Sequence, residues 1–142
     1  MKYCFLICGI FLTSALFAQT ADDRKGIEKA IANYVDAFYE ADTTKAYESI
    51  AKDLAKRGYY MRNNQVVEAK MTFEQLVRLA QRWKTTQNIT PATPKKITVL
   101  DVLDRIASAK VEAQWGIDYF HLAKIGGNWT IINVLWQDYP AK

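Results

Sequence analysis

Asp118-Tyr119-Phe120-His121-Leu122-Ala123-Lys124-Ile125-Gly126-Gly127-Asn128-Trp129-Thr130-Ile131-Ile132-Asn133-Val134-Leu135-Trp136 reads as two β-strands about a two-residue turn. β-Branched and aromatic residues crowd both arms. The glycine pair supplies the positive φ that a tight hairpin turn requires. A turn centred on Gly126-Gly127 opposes Leu122 to Ile131, Phe120 to Asn133 and Asp118 to Leu135 on one face. His121 then opposes Ile132, and Tyr119 opposes Val134, on the other.

Tight turns at Trp115-Gly116 and Asp104-Arg105 extend the sheet backwards through Ala107–Gln114 and Ile97–Leu103. One face then collects Leu100, Val102, Ala107, Ala109, Val111, Ala113, Phe120, Leu122, Trp129, Ile131 and Leu135. Asp118 and Asn133 are its strongly polar members, near neighbours across the two strands. The opposite face mixes Asp101, Ser108, Lys110, Glu112, Tyr119 and His121 with Ile132, Val134 and Trp136, as expected of a solvated or subunit-contacting surface. A one-residue slip in any strand would exchange its faces, so the apolar set depends on the turns chosen. A three-residue loop at Trp115-Gly116 would place the first two strands in the other register.

Upstream, the period changes from two to three and four. Ile27, Ala30, Ile31, Tyr34, Val35 and Phe38 mark the apolar stripe of a helix that Asp22 or Asp23 can cap. A second short helix is expected from Asp42 or Thr43, carrying Ala46, Tyr47, Ile50 and Ala51 inward and ending before Gly58. Tyr59–Val67 looks like two extended pieces around an Asn-rich turn. Thr72 with Gln75 forms a capping box, and Met71 and Leu76 take the hydrophobic-staple positions, so a third helix starts at Phe73. Its inward face reads Phe73, Leu76, Val77, Ala80 and Trp83. Helices first and strands later give an α+β class.

At the amino terminus, Met1-Lys2 precedes an apolar run from Tyr3 to Phe17, then Ala18 and the polar Gln19-Thr20-Ala21-Asp22. This is a signal-peptide layout with cleavage expected after Ala18. The run is shorter than the roughly 20 apolar residues of a spanning helix, so no stable membrane insertion is expected after cleavage. The expected organisation is a leader at 1–18 and one domain at 22–139, periplasmic or secreted. The chain's 2 cysteines, Cys4 and Cys8, both lie in the leader. A mature domain without thiols excludes disulfide scaffolds, thiol nucleophiles and cysteine-ligated metals.

The formal charge is +4, and basic residues are interleaved with acids rather than striped, so no nucleic-acid partner is expected. Lys56-Arg57 and Lys95-Lys96 read as solvated surface. His121 is the sole histidine, which excludes a multi-histidine metal site. No phosphate loop, serine elbow or metal motif occurs, and neither cofactor nor metal is expected.

The final hairpin, with Asp53-Leu54-Ala55-Lys56-Arg57-Gly58, Met71-Thr72-Phe73-Glu74-Gln75-Leu76 and Ala107-Ser108-Ala109-Lys110-Val111 in that order, resembles the nuclear-transport-factor-2-like superfamily, also called SnoaL-like. Within it the chain resembles the putative lumazine-binding family. The resemblance covers about Ile27 to Asp138. It implies a cone-shaped α+β domain, three amino-terminal helices packed on a strongly curved antiparallel β-sheet, with a cavity at one end. Homodimers through the outer sheet face are also implied. The superfamily holds isomerases and dehydratases beside binding and accessory domains, so fold alone does not set chemistry. No residue here marks recognition of a pteridine.

Asp118, Asn133, Phe120, Trp129, Tyr34, Phe38 and Tyr60 are therefore the candidate pocket residues, for a small apolar or aromatic molecule. A noncatalytic binding or accessory domain is the leading reading. The alternative is a cofactor-free lyase or isomerase of the ketosteroid isomerase type. There Asp118, raised in pKa by apolar neighbours, would be the general base, and Tyr34 or Tyr60 would hydrogen-bond the developing oxyanion.

Overall fold

The computed structural model describes the backbone of residues 5–90 and 92–140, and side chains from Ala21 onward within them. The expected leader at 1–18 and its cleavage position fall outside the residues whose side chains are described. Three helices, α1 (Phe5–Tyr39), α2 (Thr43–Ser49) and α3 (Phe73–Thr86), pack on one sheet. Its strands are β1 (Ile50–Arg62), β2 (Gln65–Met71), β3 (Lys95–Val102), β4 (Ile106–Ala113), β5 (Gly116–Ile125) and β6 (Asn128–Gln137). The order is β2-β1-β6-β5-β4-β3. All neighbours are antiparallel except β1 and β6, which run parallel. Among the described residues no helix is long and apolar enough to cross a membrane.

The α1 stripe behaves as its spacing requires: Ile27, Ala30, Ile31, Tyr34, Val35 and Phe38 are all buried against the sheet. Neither Asp22 nor Asp23 caps this helix, because the helix already runs from Phe5. The α3 capping box is complete, with Thr72 Oγ1 accepting from the Gln75 amide and Gln75 Oε1 accepting from the Thr72 amide. Phe73, Leu76, Val77 and Ala80 are buried, and Trp83 packs against the core.

The second helix is shorter than expected. It closes at Ser49, and Ile50–Arg62 forms the long strand β1. Tyr47 is consequently 59% exposed rather than inward. Asn63 and Asn64 both take positive φ in a two-residue turn, and Arg62 pairs with Gln65. Asparagine tolerates that conformation, which joins twisted strands tightly.

Two β-bulges rewrite the expected sheet faces. Leu122 pairs with Ile131 as the Gly126-Gly127 turn predicts, but His121 pairs with Asn133, leaving Ile132 as an extra residue in β6. An extra residue inverts every side chain beyond it. Phe120 therefore faces Val134 and Asp118 faces Trp136, while Asn133 and Leu135 turn outward. Asn133 Nδ2 lies 3.1 Å from His121 Nδ1 on the outer face. Physically, the bulge exchanges an amide that the interior could not satisfy for a valine that is fully buried.

The second bulge, at Leu100, lies between the pairs Val99↔Ala109 and Asp101↔Ser108. It leaves Leu100 49% exposed and packs Ile97 and Val99 against the core instead. The Asp104-Arg105 turn is present, with the Leu103 amide donating to the Ile106 carbonyl. The β4–β5 turn falls on Gln114-Trp115, so Ala113 pairs with Gly116 and Val111 with Asp118. This pairing differs from the expected one by two residues, an even number, and the faces of β4 survive unchanged.

Candidate functional site

Along β1, Leu54, Lys56 and Gly58 alternate inward while Ala55, Arg57 and Tyr59 point out. Lys56 is thus a core residue, contrary to the surface role expected of Lys56-Arg57. Its side chain is 6% exposed, and that of Asp118 on β5 is fully buried. The intervening strand β6 separates them, and the lysine reaches over it to place Nζ 3.6 Å from Asp118 Oδ1. Lys56 Nζ also donates to Tyr34 Oη from α1. Its ammonium sits 5.2 Å from the Tyr34 ring centroid and 5.6 Å from that of Trp136. Both rings present electron-rich faces to a cation.

Trp115, at the β4–β5 turn, completes the group. Its indole Nε1 donates to Asp118 Oδ2 at 2.8 Å, while Asp118 Oδ1 accepts no hydrogen bond from the described residues. The Trp115 ring meets Tyr34, Phe38, Tyr39 and Trp83 at centroid distances of 6.2, 5.1, 5.7 and 5.6 Å. Gly116 allows the turn: its φ is +141°, and a Cβ there would lie 2.0 Å from the Gln137 carbonyl oxygen. Tyr39 ties the same corner to the helix, donating to the Pro94 carbonyl and accepting from the Gln114 amide.

These side chains border a partly enclosed cavity of about 80 Å³, lined by Tyr34, Phe38, Lys56, Met71, Leu79, Trp83, Trp115 and Trp136. Its walls are aromatic and aliphatic, with the lysine ammonium as the charged group. Trp83 Nε1 is buried without a hydrogen-bond partner among the described residues. Burial pushes the Lys56 ammonium below its ordinary value, against the opposing pull of the Asp118 carboxylate. Burial also pushes the Tyr34 phenol well up, and the Asp118 charge adds to it. Trp136 lies close over β1 because Gly58 has no side chain, and Tyr60 stacks on it at 6.0 Å with an interplanar angle of 6°.

The residues singled out from sequence separate into five places. Tyr34 and Phe38 line the cavity; Asp118 and Phe120 lie behind its wall, Phe120 meeting Tyr34 edge-on at 5.1 Å. Tyr60 touches the site only through Trp136. Asn133 is on the outer face. Trp129 is elsewhere, donating to Asp23 Oδ1 at 3.1 Å beside Lys124, which also bonds that oxygen. That clasp borders a cleft of about 270 Å³ whose buried carboxylate, Asp23, already has two partners. A third hollow, about 300 Å³, is on the outer face around Leu103, Ile106, His121 and Ile132.

Sequence reading missed Lys56, Trp115, Trp136, Met71 and Leu79 as cavity residues, and placed Trp83 on the inward face of its helix without assigning it to the cavity. The alternation Leu54, Lys56, Gly58 was the available signal for the first, since it places a lysine on a face otherwise closed to charge. Among the described residues no group of acidic, histidine or cysteine side chains could hold a metal.

The six-stranded, mostly antiparallel sheet with three helices on one face is the nuclear-transport-factor-2-like fold. Solved structures agree. A nuclear-transport-factor-2-like protein of unknown function from Silicibacter pomeroyi superposes with a TM-score of 0.69 at 14% identity, covering 84% of this chain and 98% of that one. One from Shewanella baltica gives 0.68 at 17% identity, covering 85% and 97%. One from Methylobacillus flagellatus gives 0.60 at 23% identity, covering 84% and 94%. No curated protein matches the sequence. The chain belongs to the family described as putative lumazine-binding, whose model matches residues 22–137.

Proposed function

We propose that this is an exported binding domain that holds a small, flat, largely apolar molecule in the aromatic cavity. The observation that carries this reading is the buried Lys56–Asp118 pair beside a cavity with three tryptophans in its wall. A buried charge pair adds little stability compared with apolar packing, whereas a few polar groups among aromatic walls are what orient a ligand. The cavity volume of about 80 Å³ is below the roughly 300 Å³ of common ligand pockets. Its occupant is correspondingly small unless Trp83 or Trp136 swings aside; a pteridine-sized bicycle needs that movement.

The isomerase alternative has less support. Asp118 does not line the cavity, and both of its oxygens face groups of the protein, Trp115 and Lys56. Export is supported by the leader-like layout of 1–18, and amino-terminal sequencing of protein from the cell envelope tests it. A homodimer through the outer sheet face is supported by exposed Tyr59, Tyr119, Ile132 and Leu135, and sedimentation tests it.

Tryptophan emission tests the binding reading directly. Trp83, Trp115 and Trp136 line the cavity, and Trp129 is the only other tryptophan of the 4. Binding should alter emission saturably and raise the melting temperature. A panel of small aromatic and heteroaromatic compounds that changes neither signal would remove the reading.

A further inference from the structure

We propose that Lys56 is a carbonyl-trapping lysine whose amine condenses with a small aldehyde admitted to the aromatic cavity, giving an iminium that Asp118 holds as counter-ion. This rests on the cavity being the binding site named above, and adds the chemical class of its occupant. Three observations meet here. Lys56 is the cavity's amine, and its side chain is 6% exposed while lining that space. Asp118 Oδ1, 3.6 Å from Nζ, is buried and accepts no hydrogen bond from the described residues, so it faces the lysine as an open acceptor. Trp83 contributes to the same cavity wall a buried indole N–H that has no partner among the described residues, a donor suited to a carbonyl oxygen.

The step balances without an outside reagent. Asp118 takes a proton from the ammonium, and the nitrogen lone pair forms a bond to the carbonyl carbon as the C=O π bond breaks. A proton shifts from nitrogen to oxygen, giving the carbinolamine. Asp118 returns its proton by way of the Tyr34 hydroxyl, which lines the cavity beside Nζ, to the carbinolamine hydroxyl; the C–O bond breaks, and water leaves as the C=N bond forms. Ammonium plus aldehyde thus become iminium plus water; the pair begins and ends with one positive and one negative charge and is neutral at the carbinolamine between. Burial favours the free amine needed for attack, in line with the lowered pKa of Lys56. An apolar surround also limits the water that would reverse the reaction.

The test uses the whole chain as purified. Benzaldehyde or acetaldehyde is added at one equivalent with cyanoborohydride just below neutral pH, where exposed lysines are protonated. Peptide mass mapping then locates the reduced adduct, with the amino-terminal amine as internal reference. The expected result is modification at Lys56 exceeding that at every other lysine, and a several-fold loss of it in Asp118→Asn with the label elsewhere unchanged. Benzyl alcohol, which cannot condense, reports occupancy of the cavity by tryptophan quenching. Quenching with label spread over exposed lysines overturns the trapping proposal and leaves the binding reading standing; absence of both effects overturns the two together. Because the decisive map is made on the unaltered chain, failure of a variant to fold does not decide it.

Discussion

Lys56 and Asp118, on strands separated by β6, form a buried ion pair with Nζ 3.6 Å from Oδ1. Each charge is tolerated inside because the other is there. Lys56→Met alone should therefore cost about 3–5 kcal/mol in urea unfolding, since it strands a buried carboxylate. The double variant Lys56→Met/Asp118→Leu should recover most of that loss. A single variant within about 0.5 kcal/mol of the parent, the range of ordinary surface changes, would show that the pair is not buried as described.

The same lysine sets an alkaline signature. Its folded pKa lies below the ordinary 10.5, chiefly through burial. Between the folded value and 10.5 the unfolded chain binds more protons, so stability should rise with pH there. Tyr34 acts in the opposite sense above its ordinary 10.0, because the folded phenol keeps its proton while the unfolded one loses it. Urea midpoints followed from neutral pH upward should rise and then fall; Lys56→Met should abolish the rise and keep the fall.

Asp23 governs the acid side. The Lys124 hydrogen bond holds its carboxyl below the ordinary 3.8, outweighing the cost of burial. The stabilisation is therefore complete above 3.8 and disappears as pH falls through the folded value. Asp23→Asn should cost about 1.5–3 kcal/mol at neutral pH, as for loss of a hydrogen bond to a charged group. The gap from the parent should close in strong acid. A gap of constant size across that range would mean that the loss is steric.

Gly58 is where a single methyl group should be felt. A Cβ there would lie 1.9 Å from Trp136 Cε2, so Gly58→Ala must displace the ring and with it the stacked Tyr60. The expected cost is about 1–3 kcal/mol, accompanied by a change in tryptophan emission. Gly126→Ala supplies the contrast: nothing lies within 4 Å of its Cβ, and only the φ of +58° is strained.

Removing Ile132 tests the bulge. The deletion would leave Leu122 opposite Ile131, His121 opposite Asn133, Phe120 opposite Val134 and Asp118 opposite Trp136, the pairs that the bulged strand already makes, with Val134 still inward and Asn133 still outward. What is lost is the local kink and added twist that the extra residue gives β6. The deleted chain should therefore keep a cooperative unfolding transition at a cost of about 0.5–3 kcal/mol in urea; loss of cooperativity would show that the kink itself is required.

Local signals were legible in the sequence and competitive ones were not. The Thr72–Gln75 capping box, the Gly126-Gly127 turn and the α1 stripe each depend on residues within a turn or two of one another. The faces of β4 were also legible, because an error of two residues at Gln114-Trp115 preserves parity. The bulge at Ile132 was hidden, since it is decided by which of Asn133 and Val134 the helices will accept, a question about tertiary contacts. Lys56 was hidden for a related reason: a lysine is placed inside by a carboxylate far along the chain, and Asp118 was read beside Asn133 instead. Of the site, Tyr34, Phe38 and Asp118 could be named; the tryptophan at the turn and the one beyond the bulge required the register.

β6 is the last of the described strands in chain order and sits third in the sheet, between β1 and β5. Until it is made, the hairpin of β1 and β2 and the meander of β3, β4 and β5 are two separate ribbons with no common edge. The domain therefore cannot close until β6 has left the ribosome, and truncation after Gly127 should leave two ribbons without a shared edge rather than a smaller version of the domain.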